Sequence, residues 1–207
     1  GSTLKKGRKI GRNVGELRLE YHTSDSAVFE ALLAWKAKQQ RETGAREVLR
    51  EPWIVELLDR IRETREGTFR GMLSALYAGD EIIAAHLGMQ NAGMLHMWFQ
   101  AYNREFNKYS PGLVMLTSLG ALCEEEGFTR VDLGKGPETY KKSFQSEAIP
   151  LMEGSVDRNP SRRLLTRSRY LGREWIRSSS LYGTAYAAKR FVRRHDPRRL
   201  LRSAPGE

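Results

Sequence analysis

The sequence lacks the features that mark several protein classes. A single cysteine, Cys123, excludes a disulfide within the chain and makes a reducing cytoplasm the expected compartment. Only 7 prolines occur in 207 residues, without repeats or low-complexity tracts, which excludes collagen-like and disordered chains. No apolar run approaches the roughly 20 residues that cross a bilayer, and residues 1–6 lack the apolar core of a secretion signal. A soluble globular protein is therefore expected.

Positive charge is concentrated near the C-terminal end. The chain has 35 Lys and Arg against 25 Asp and Glu, a net charge of +10. Residues 158–202 hold fourteen basic and two acidic side chains, a net of +12, so the remainder nets −2. We therefore predict a basic linker over 1–13, a nearly neutral domain over 14–157 and a basic helical arm over 158–207. A nearly neutral domain is not expected to bind nucleic acid through charge alone.

Hydrophobic periodicity predicts an α+β fold. Two amphipathic helices are expected early, one capped by Ser24 and one that begins near Pro52 and ends by Gly67. Alternating apolar residues then indicate strands joined by turns at Gly79 and Gly93. The predicted strands cover residues 17–21, 69–77, 82–89, 94–101, 131–133 and 149–156, and further helices cover 110–123 and 138–144.

The order of these elements predicts how the sheet is connected. Three successive strands over 69–101 form an antiparallel meander. One helix joins strand 94–101 to strand 131–133, so these two strands are expected to be parallel neighbours with a right-handed crossover. This βαβ unit places a helix N-terminus at the edge of a mixed sheet, where an anion can bind.

The junction before that helix is the sharpest local motif. A proline and small residues leave the next backbone N–H groups without partners, and Gly112 lets a ligand approach the backbone. The predicted pyrophosphate-binding residues are Ser110, Pro111, Gly112, Leu113 and Val114. An ordinary helix start is the alternative interpretation.

A glycine-rich loop follows the strand at 131–133. Gly134 and Gly136 satisfy neither a dinucleotide fingerprint nor a P-loop, so nucleotide hydrolysis is not indicated. Tyr140 could donate a proton to a leaving thiolate, and Lys141 could pair with a phosphate or carboxylate. The alternative is a packing tyrosine beside solvated lysines.

Histidines are sparse. His86 lies in the middle of a predicted strand among apolar residues, and it could be either a structural or an active-site residue. His96 lies on the neighbouring predicted strand, so the two side chains could face each other. No cysteine or further histidine completes a metal-binding set, so no metal is expected.

Several runs together carry a family resemblance. They are Leu95-His96-Met97-Trp98-Phe99-Gln100-Ala101-Tyr102-Asn103, Tyr109-Ser110-Pro111-Gly112, Glu126-Gly127-Phe128, Val131-Asp132-Leu133-Gly134 and Glu138-Thr139-Tyr140-Lys141. In order and spacing they resemble the acetyltransferase domain of the CelD/BcsL cellulose-biosynthesis family, over about residues 8–157. That family belongs to the GNAT superfamily and is related to the Fem aminoacyltransferases.

The resemblance implies a GNAT-like mixed sheet and an acyl-CoA site between the diverging strands at 94–101 and 131–133. It implies that Ser110 to Val114 take the pyrophosphate and that Lys141 and Tyr140 line the acyl or acceptor end. In the mechanism that follows from it, an amine attacks the thioester directly, Glu138 serves as base through a water, and Tyr140 serves as acid, with Glu81 and His86 in reserve.

Two departures from the family pattern are visible. The pyrophosphate motif is degraded to Asn107-Lys108-Tyr109-Ser110-Pro111-Gly112, and Asn103 stands where relatives commonly carry an acid. Full-length relatives also have a first GNAT-like half. The expectation is that this chain is a C-terminal half, either excised or naturally short, whose partner half is missing.

The expected function is an N-acyltransferase that uses acetyl-CoA or another acyl-CoA on an amine of an amino-sugar or cell-envelope precursor. One alternative is a Fem-like aminoacyltransferase that uses charged tRNA, and another is a non-catalytic GNAT half that acts as a binding module. The basic segment 158–202 is expected either to dock on the domain or to contact a membrane surface or polyanion. The expected location is cytoplasmic, with peripheral attachment at the inner face of the membrane as the further option.

Overall fold

The computed structural model describes residues 2–123, 125–136, 138–152, 154, 156 and 158–178. The chain forms two compact units. The first unit holds residues 2–42 and 46–145, and the second holds residues 43–45 and the described residues from 146 onward. The candidate site lies within the first unit.

Helices and strands alternate along the chain in an α+β arrangement. In order they are α1 (Ser2–Asn13), β1 (Leu17–Glu20), α2 (Ser26–Thr43), α3 (Pro52–Glu63), β2 (Arg65–Glu66), β3 (Phe69–Ala78), β4 (Glu81–Asn91), β5 (Met94–Tyr102), α4 (Pro111–Ala121), β6 (Arg130–Asp132), α5 (Lys141–Phe144) and α6 (Pro160–Ser178). Short 3-10 helices occupy Val48–Arg50 and Arg104–Tyr109.

The sheet has the order β1-β3-β4-β5-β6, and β2 pairs with β3. All neighbouring strands are antiparallel except β5 and β6, which are parallel. Gly79 and Gly93 have positive φ angles of 61° and 77° in the two hairpin turns, a conformation that favours glycine. The predicted meander and the predicted parallel pair are confirmed.

A hydrophobic core covers each face of the sheet. On one face, Ile10 of α1 and Met115 of α4 pack with sheet residues such as Leu76. On the other face, Leu32 of α2 and Leu58 of α3 pack with residues such as Leu87. We call these the α4 face and the α2 face of the sheet. Residues that alternate along a strand therefore point to different helices.

The prediction of a linker over 1–13 is wrong, because residues 2–13 form helix α1. Gly7 and Ile10 are its buried residues. A Cβ atom at Gly7 would lie 3.4 Å from the Leu17 side chain and 3.6 Å from that of Val114, so the helix approaches the domain closely. Two inward positions in twelve residues are too few to produce a visible apolar stripe.

Three smaller expectations also need correction. The described residues within 149–156 contain no strand, and the Ile149, Leu151, Met152 and Val156 side chains are exposed, so the alternating pattern there does not reflect one buried face. Residues 153 and 155 of that predicted strand lie outside the described residues. The helix predicted over 138–144 is shorter, Lys141–Phe144. Helix α2 begins after Asp25, whose carboxylate accepts the Ala27 N–H at 2.8 Å, instead of at Ser24.

The burial of Ile10 tests whether α1 belongs to the domain. Ile10 is fully buried, so Ile10→Ala should lower the free energy of unfolding by about 2–4 kcal/mol through lost packing and a residual cavity. Leu4 lies on the same helix with 59% of its surface exposed, and Leu4→Ala should change stability by no more than about 0.5 kcal/mol. Urea denaturation of both variants measures this difference. Equal, small effects would restore the linker interpretation.

Candidate active site

The pairing of β5 with β6 is short. It joins Met94 to Arg130, Leu95 to Val131 and His96 to Asp132, whereas β5 continues for six residues beyond His96. Within the described sheet, that continuation has no neighbour on the β6 side. The strands therefore leave an opening along the edge of β5, as the family resemblance implies.

A tight turn ends β6 at this point. The Asp132 carboxylate accepts the Gly134 N–H through Oδ1 at 2.7 Å. Gly134 itself has a φ of 75°, which a residue with a Cβ atom adopts only under strain. The positive φ at Gly134 ends the extended backbone of β6, although Gly134 still lies beside β5, since a Cβ atom there would be 3.5 Å from the Met97 carbonyl oxygen.

A β-bulge lies beside the opening. In the β4–β5 register, Leu87 faces Phe99 and Gly88 faces Met97, so Trp98 has no residue opposite it. Trp98 is 40% exposed, and its ring meets the Phe99 ring edge-on, with 5.0 Å between centroids. Bulges bend a strand and re-aim its backbone, and this one occurs two residues after the last β6 pair.

His96 and Asp132 form a hydrogen-bonded pair at the start of the opening. The His96 Nδ1 atom lies 2.8 Å from Asp132 Oδ2. Burial raises the pKa of Asp132, but the hydrogen bonds from Gly134 and His96 and the nearby Lys141 charge lower it more, and the net pKa lies below the ordinary value. An ionised carboxylate can only accept hydrogen bonds, so Nδ1 is the nitrogen that donates to Asp132, and Nε2 is the other ring nitrogen.

Lys141 extends this pair into a chain of hydrogen bonds. Its buried ammonium donates to the Gly134 carbonyl at 2.9 Å and contacts the Glu138 carboxylate at 2.8 Å. The hydrogen bond from Lys141 is the main cause that holds the pKa of Glu138 below its ordinary value. Lys141 thus joins the turn after β6 to the start of α5, and its positive charge is balanced inside the domain.

Tyr140 lies next to this network and packs at the margin of the core on the α4 face. Burial raises the pKa of its hydroxyl, an effect that the nearby Lys141 charge partly offsets. The hydroxyl therefore keeps its proton at neutral pH and can donate it. The role of Tyr140 as an acid stays a prediction.

The start of α4 offers fewer free backbone donors than expected. The Leu113 and Val114 N–H groups both donate to the Ser110 carbonyl, at 3.0 and 3.2 Å. Within this first turn, the Gly112 N–H has no hydrogen-bond acceptor among the described residues. Ser110 has a φ of 53°, and its hydroxyl accepts a hydrogen bond from the Lys6 ammonium at 2.8 Å.

Cations surround this helix start. Besides Lys6 of α1, Lys108 places its ammonium 5.0 Å from the centre of the Tyr109 ring. The pKa of Tyr109 is lowered, mainly by the hydrogen bond from Asn13. The nearby Lys108 and Lys9 charges lower it further. Lys6 at Ser110 and the lysines near Tyr109 therefore place positive charge around the residues that precede α4, whose positive end adds to it.

The unpaired part of β5 contacts helices on both faces of the sheet. Lys36 of α2 donates to the Gln100 carbonyl at 3.1 Å, and burial lowers the pKa of this lysine. The Gln100 side chain donates to the Gly112 carbonyl at 2.7 Å and so ties β5 to the first turn of α4. The unpaired part of β5 is thus fixed from both sides without being covered by another strand.

His86 occupies a different environment from His96. It is fully buried, its two ring nitrogens have no hydrogen-bond partner among the described residues, and burial lowers its pKa to about 3. A Cβ atom at Gly88 would lie 2.5 Å from the His86 ring, so glycine provides the space for it. His86 and His96 are not opposite each other, because His86 pairs with Gln100 and Met89 pairs with His96. The predicted active-site role of His86 stays a prediction.

Sequence reasoning missed the pair of His96 with Asp132. Both residues stand in the runs that carry the family resemblance, but they are 36 positions apart and no motif links them. The usable signal was the predicted parallel pairing of their strands, which brings the two short runs side by side. Of the predicted residues, the structure connects Glu138 and Lys141 to this pair and places Ser110 to Val114 at the α4 start.

The family described as Acetyltransferase (GNAT) domain matches residues 2–142. The chain belongs to the GNAT acetyltransferase family. The prediction of a GNAT-type acetyltransferase is confirmed at this level. The match also includes α1, in agreement with its packing on the domain. No match is found among curated proteins.

Several solved acetyltransferase structures are similar to this chain. A possible acetyltransferase from Clostridium difficile 630 has a TM-score of 0.50 and 12% identity, over 69% of this chain and 99% of that chain. A GNAT family acetyltransferase from Staphylococcus aureus has a TM-score of 0.45 and 13% identity, over 67% and 98% of the two chains. An aminoglycoside acetyltransferase from an uncultured soil metagenomic sample, in complex with sisomicin, has a TM-score of 0.45 and 11% identity, over 71% and 99%. The predicted α+β fold with a mixed sheet is confirmed by the first of these.

GNAT acetyltransferases use acyl-CoA, typically acetyl-CoA, and this GNAT domain has residues that fit it. The Lys6 ammonium and the free Gly112 N–H suit phosphate oxygens, and the part of β5 beyond His96 has no neighbouring strand on the β6 side within the described sheet. Within the described residues, no group of three or more His, Cys, Asp or Glu side chains could hold a metal ion.

Asp132 gives the GNAT domain a pH-dependent contribution to stability. Its folded-state pKa is depressed, so the stabilisation is present above about pH 4, the unfolded pKa of Asp, and is lost as pH falls through the folded value. Asp132→Asn should therefore destabilise the domain at pH 7 and make progressively less difference below pH 4. Urea denaturation at pH 7, 5 and 3.5 measures this, with the exposed Asp80→Asn as control. A loss of stability that is independent of pH would contradict an ionic role for Asp132.

Proposed function

We propose that this GNAT domain is an acyl-CoA-dependent N-acyltransferase that acts on an amine of an amino-sugar or related cell-envelope precursor. The observation that carries the proposal is the opening beside β5, which has an anion-binding surface at the start of α4 and a His–Asp pair at the start of its unpaired edge. The family supports the acyl donor. The resemblance to the CelD/BcsL type supports the amino-sugar acceptor.

The start of α4 suits the phosphates of the donor. Lys6 and Lys108 supply positive charge from two different elements, and the Gly112 N–H supplies a backbone donor. The dipole of α4 adds to the attraction for an anion. When bound, the donor supplies an activated thioester carbonyl. The opening then leads from the phosphate surface towards the bulge at Trp98.

The His–Asp pair suits the acceptor. Leu95 and Met97 point into the core on the α4 face, so His96 between them points to the opposite, α2 face of the sheet. The amine and the donor phosphates are therefore expected to approach from different faces and meet in the opening. Such positioning supplies much of the rate enhancement in a direct transfer between two bound substrates.

His96 is the group best placed to take a proton from the acceptor amine. Asp132 fixes the ring with Nδ1–H as donor and leaves Nε2 to accept. Glu138 is less suited to this role, because its pairing with Lys141 holds its pKa down. Tyr140, which keeps its proton at neutral pH, is the candidate that protonates the departing thiolate. Glu138 and Lys141 then act by holding the turn that positions Asp132.

Replacement of His96 tests this assignment. His96→Gln keeps a polar side chain but removes the proton acceptor, so kcat should fall about 10²- to 10⁴-fold while the KM for acetyl-CoA changes little. The assay measures thiol release from acetyl-CoA with a panel of amino sugars that begins with glucosamine. His22→Gln is the matched control, because His22 lies beside β3 at the other side of the sheet and should retain full activity.

Two results would contradict the proposal. Unchanged kcat in His96→Gln would remove His96 as the proton acceptor. Absence of acetyl transfer to every amine, together with transfer of an aminoacyl group from charged tRNA, would replace acyl-CoA as the donor and favour the Fem-like alternative.

A further inference from the structure

Helix α6 is strongly amphipathic and exposed. With about 100° between successive residues, Leu164, Leu165, Leu171 and Trp175 fall on one half of the helix. Between 50% and 70% of the surface of each of these four side chains is exposed. We call these four residues the apolar face of α6. An exposed apolar face of this kind indicates an interaction surface.

The rest of α6 is basic. Residues 160–178 contain six arginines and one acidic residue, Glu174. Arg162 and Arg169 border the apolar face on one side, and Arg163 and Arg167 lie towards its other border, all with exposed side chains. Charge and apolar surface are therefore arranged side by side along the helix.

An anionic phospholipid surface matches both halves of this pattern. Leucine and tryptophan side chains insert at the boundary between headgroups and acyl chains, while arginines on the polar side bind lipid phosphates. A nucleic acid would satisfy the arginines through its phosphates but would leave the leucines of the apolar face in water. None of the helices in the described part of the chain is long and apolar enough to cross a bilayer.

We propose that α6 binds in the plane of an anionic phospholipid membrane, with its apolar face inserted and its arginines on the headgroup phosphates. This proposal rests on α6 alone and does not depend on the acyltransferase activity. The interaction would hold the GNAT domain at a membrane surface. Basic residues continue beyond α6 in the sequence up to Arg202, which adds to the attraction for anionic lipid.

The test uses the full chain and vesicles of phosphatidylcholine with 30% phosphatidylglycerol, compared with phosphatidylcholine alone. Co-sedimentation should show at least about tenfold tighter binding to the anionic vesicles, because each basic residue near the surface contributes about fivefold. Trp175 should shift its fluorescence to shorter wavelength on binding, and Trp175→Phe should remove that shift from the spectrum. Circular dichroism of each variant verifies that the chain remains folded.

A matched pair of variants separates insertion from charge attraction alone. Leu171→Glu places a negative charge on the apolar face, and Thr166→Glu places the same charge on the basic side. Leu171→Glu should weaken binding at least about tenfold more than Thr166→Glu, since it also removes an inserted side chain. Equal losses in the two variants, or equal binding to both kinds of vesicle, would overturn the proposal. Tighter binding of the full chain to a tRNA probe than to anionic vesicles would also overturn it.

Discussion

The site depends on the two hydrogen bonds that the Asp132 carboxylate accepts. One, from the Gly134 N–H, belongs to the turn that ends β6, and the other, from His96, orients the imidazole on the neighbouring strand. The same carboxylate therefore lies at the end of the strand pairing and orients the His96 ring, which we propose as the proton acceptor. Lys141 supports this arrangement, because its buried ammonium binds the Gly134 carbonyl and is balanced by Glu138. A polar network of this kind is stable only when each buried charge has a partner.

The two faces of the sheet carry different parts of the chemistry. The α4 face brings Lys6, the Gly112 N–H and the positive end of α4 together, which favours phosphate. The α2 face carries His96, which favours an acceptor that must lose a proton. Gln100 lies between them and ties β5 to α4. In the proposed reaction, the unpaired edge of β5 lies between the phosphate surface and the proton acceptor, so that the two substrates meet beside it.

Local patterns predicted the elements that are regular along the chain. Strict alternation and glycine turns predicted β3, β4 and β5, and the Pro111 junction predicted α4. Helix α1 was missed because it buries only Gly7 and Ile10. The pattern at 149–156 suggested a strand, but its described apolar side chains are exposed. The pair of His96 with Asp132 depends on strand register, which no local pattern encodes, so the sequence predicted the opening through family resemblance but not the groups beside it.

Amide hydrogen exchange of the full chain, with and without acetyl-CoA, tests the central claim most directly. The account predicts that acetyl-CoA slows exchange in peptides covering residues 97–102, whose edge has no β6 neighbour in the described sheet, and in peptides covering the Gly112 N–H at the start of α4. Peptides from α3 should be unaffected and serve as an internal reference. Binding of acetyl-CoA without protection at 97–102 would contradict the account, because the donor would then lie outside the opening between β5 and β6.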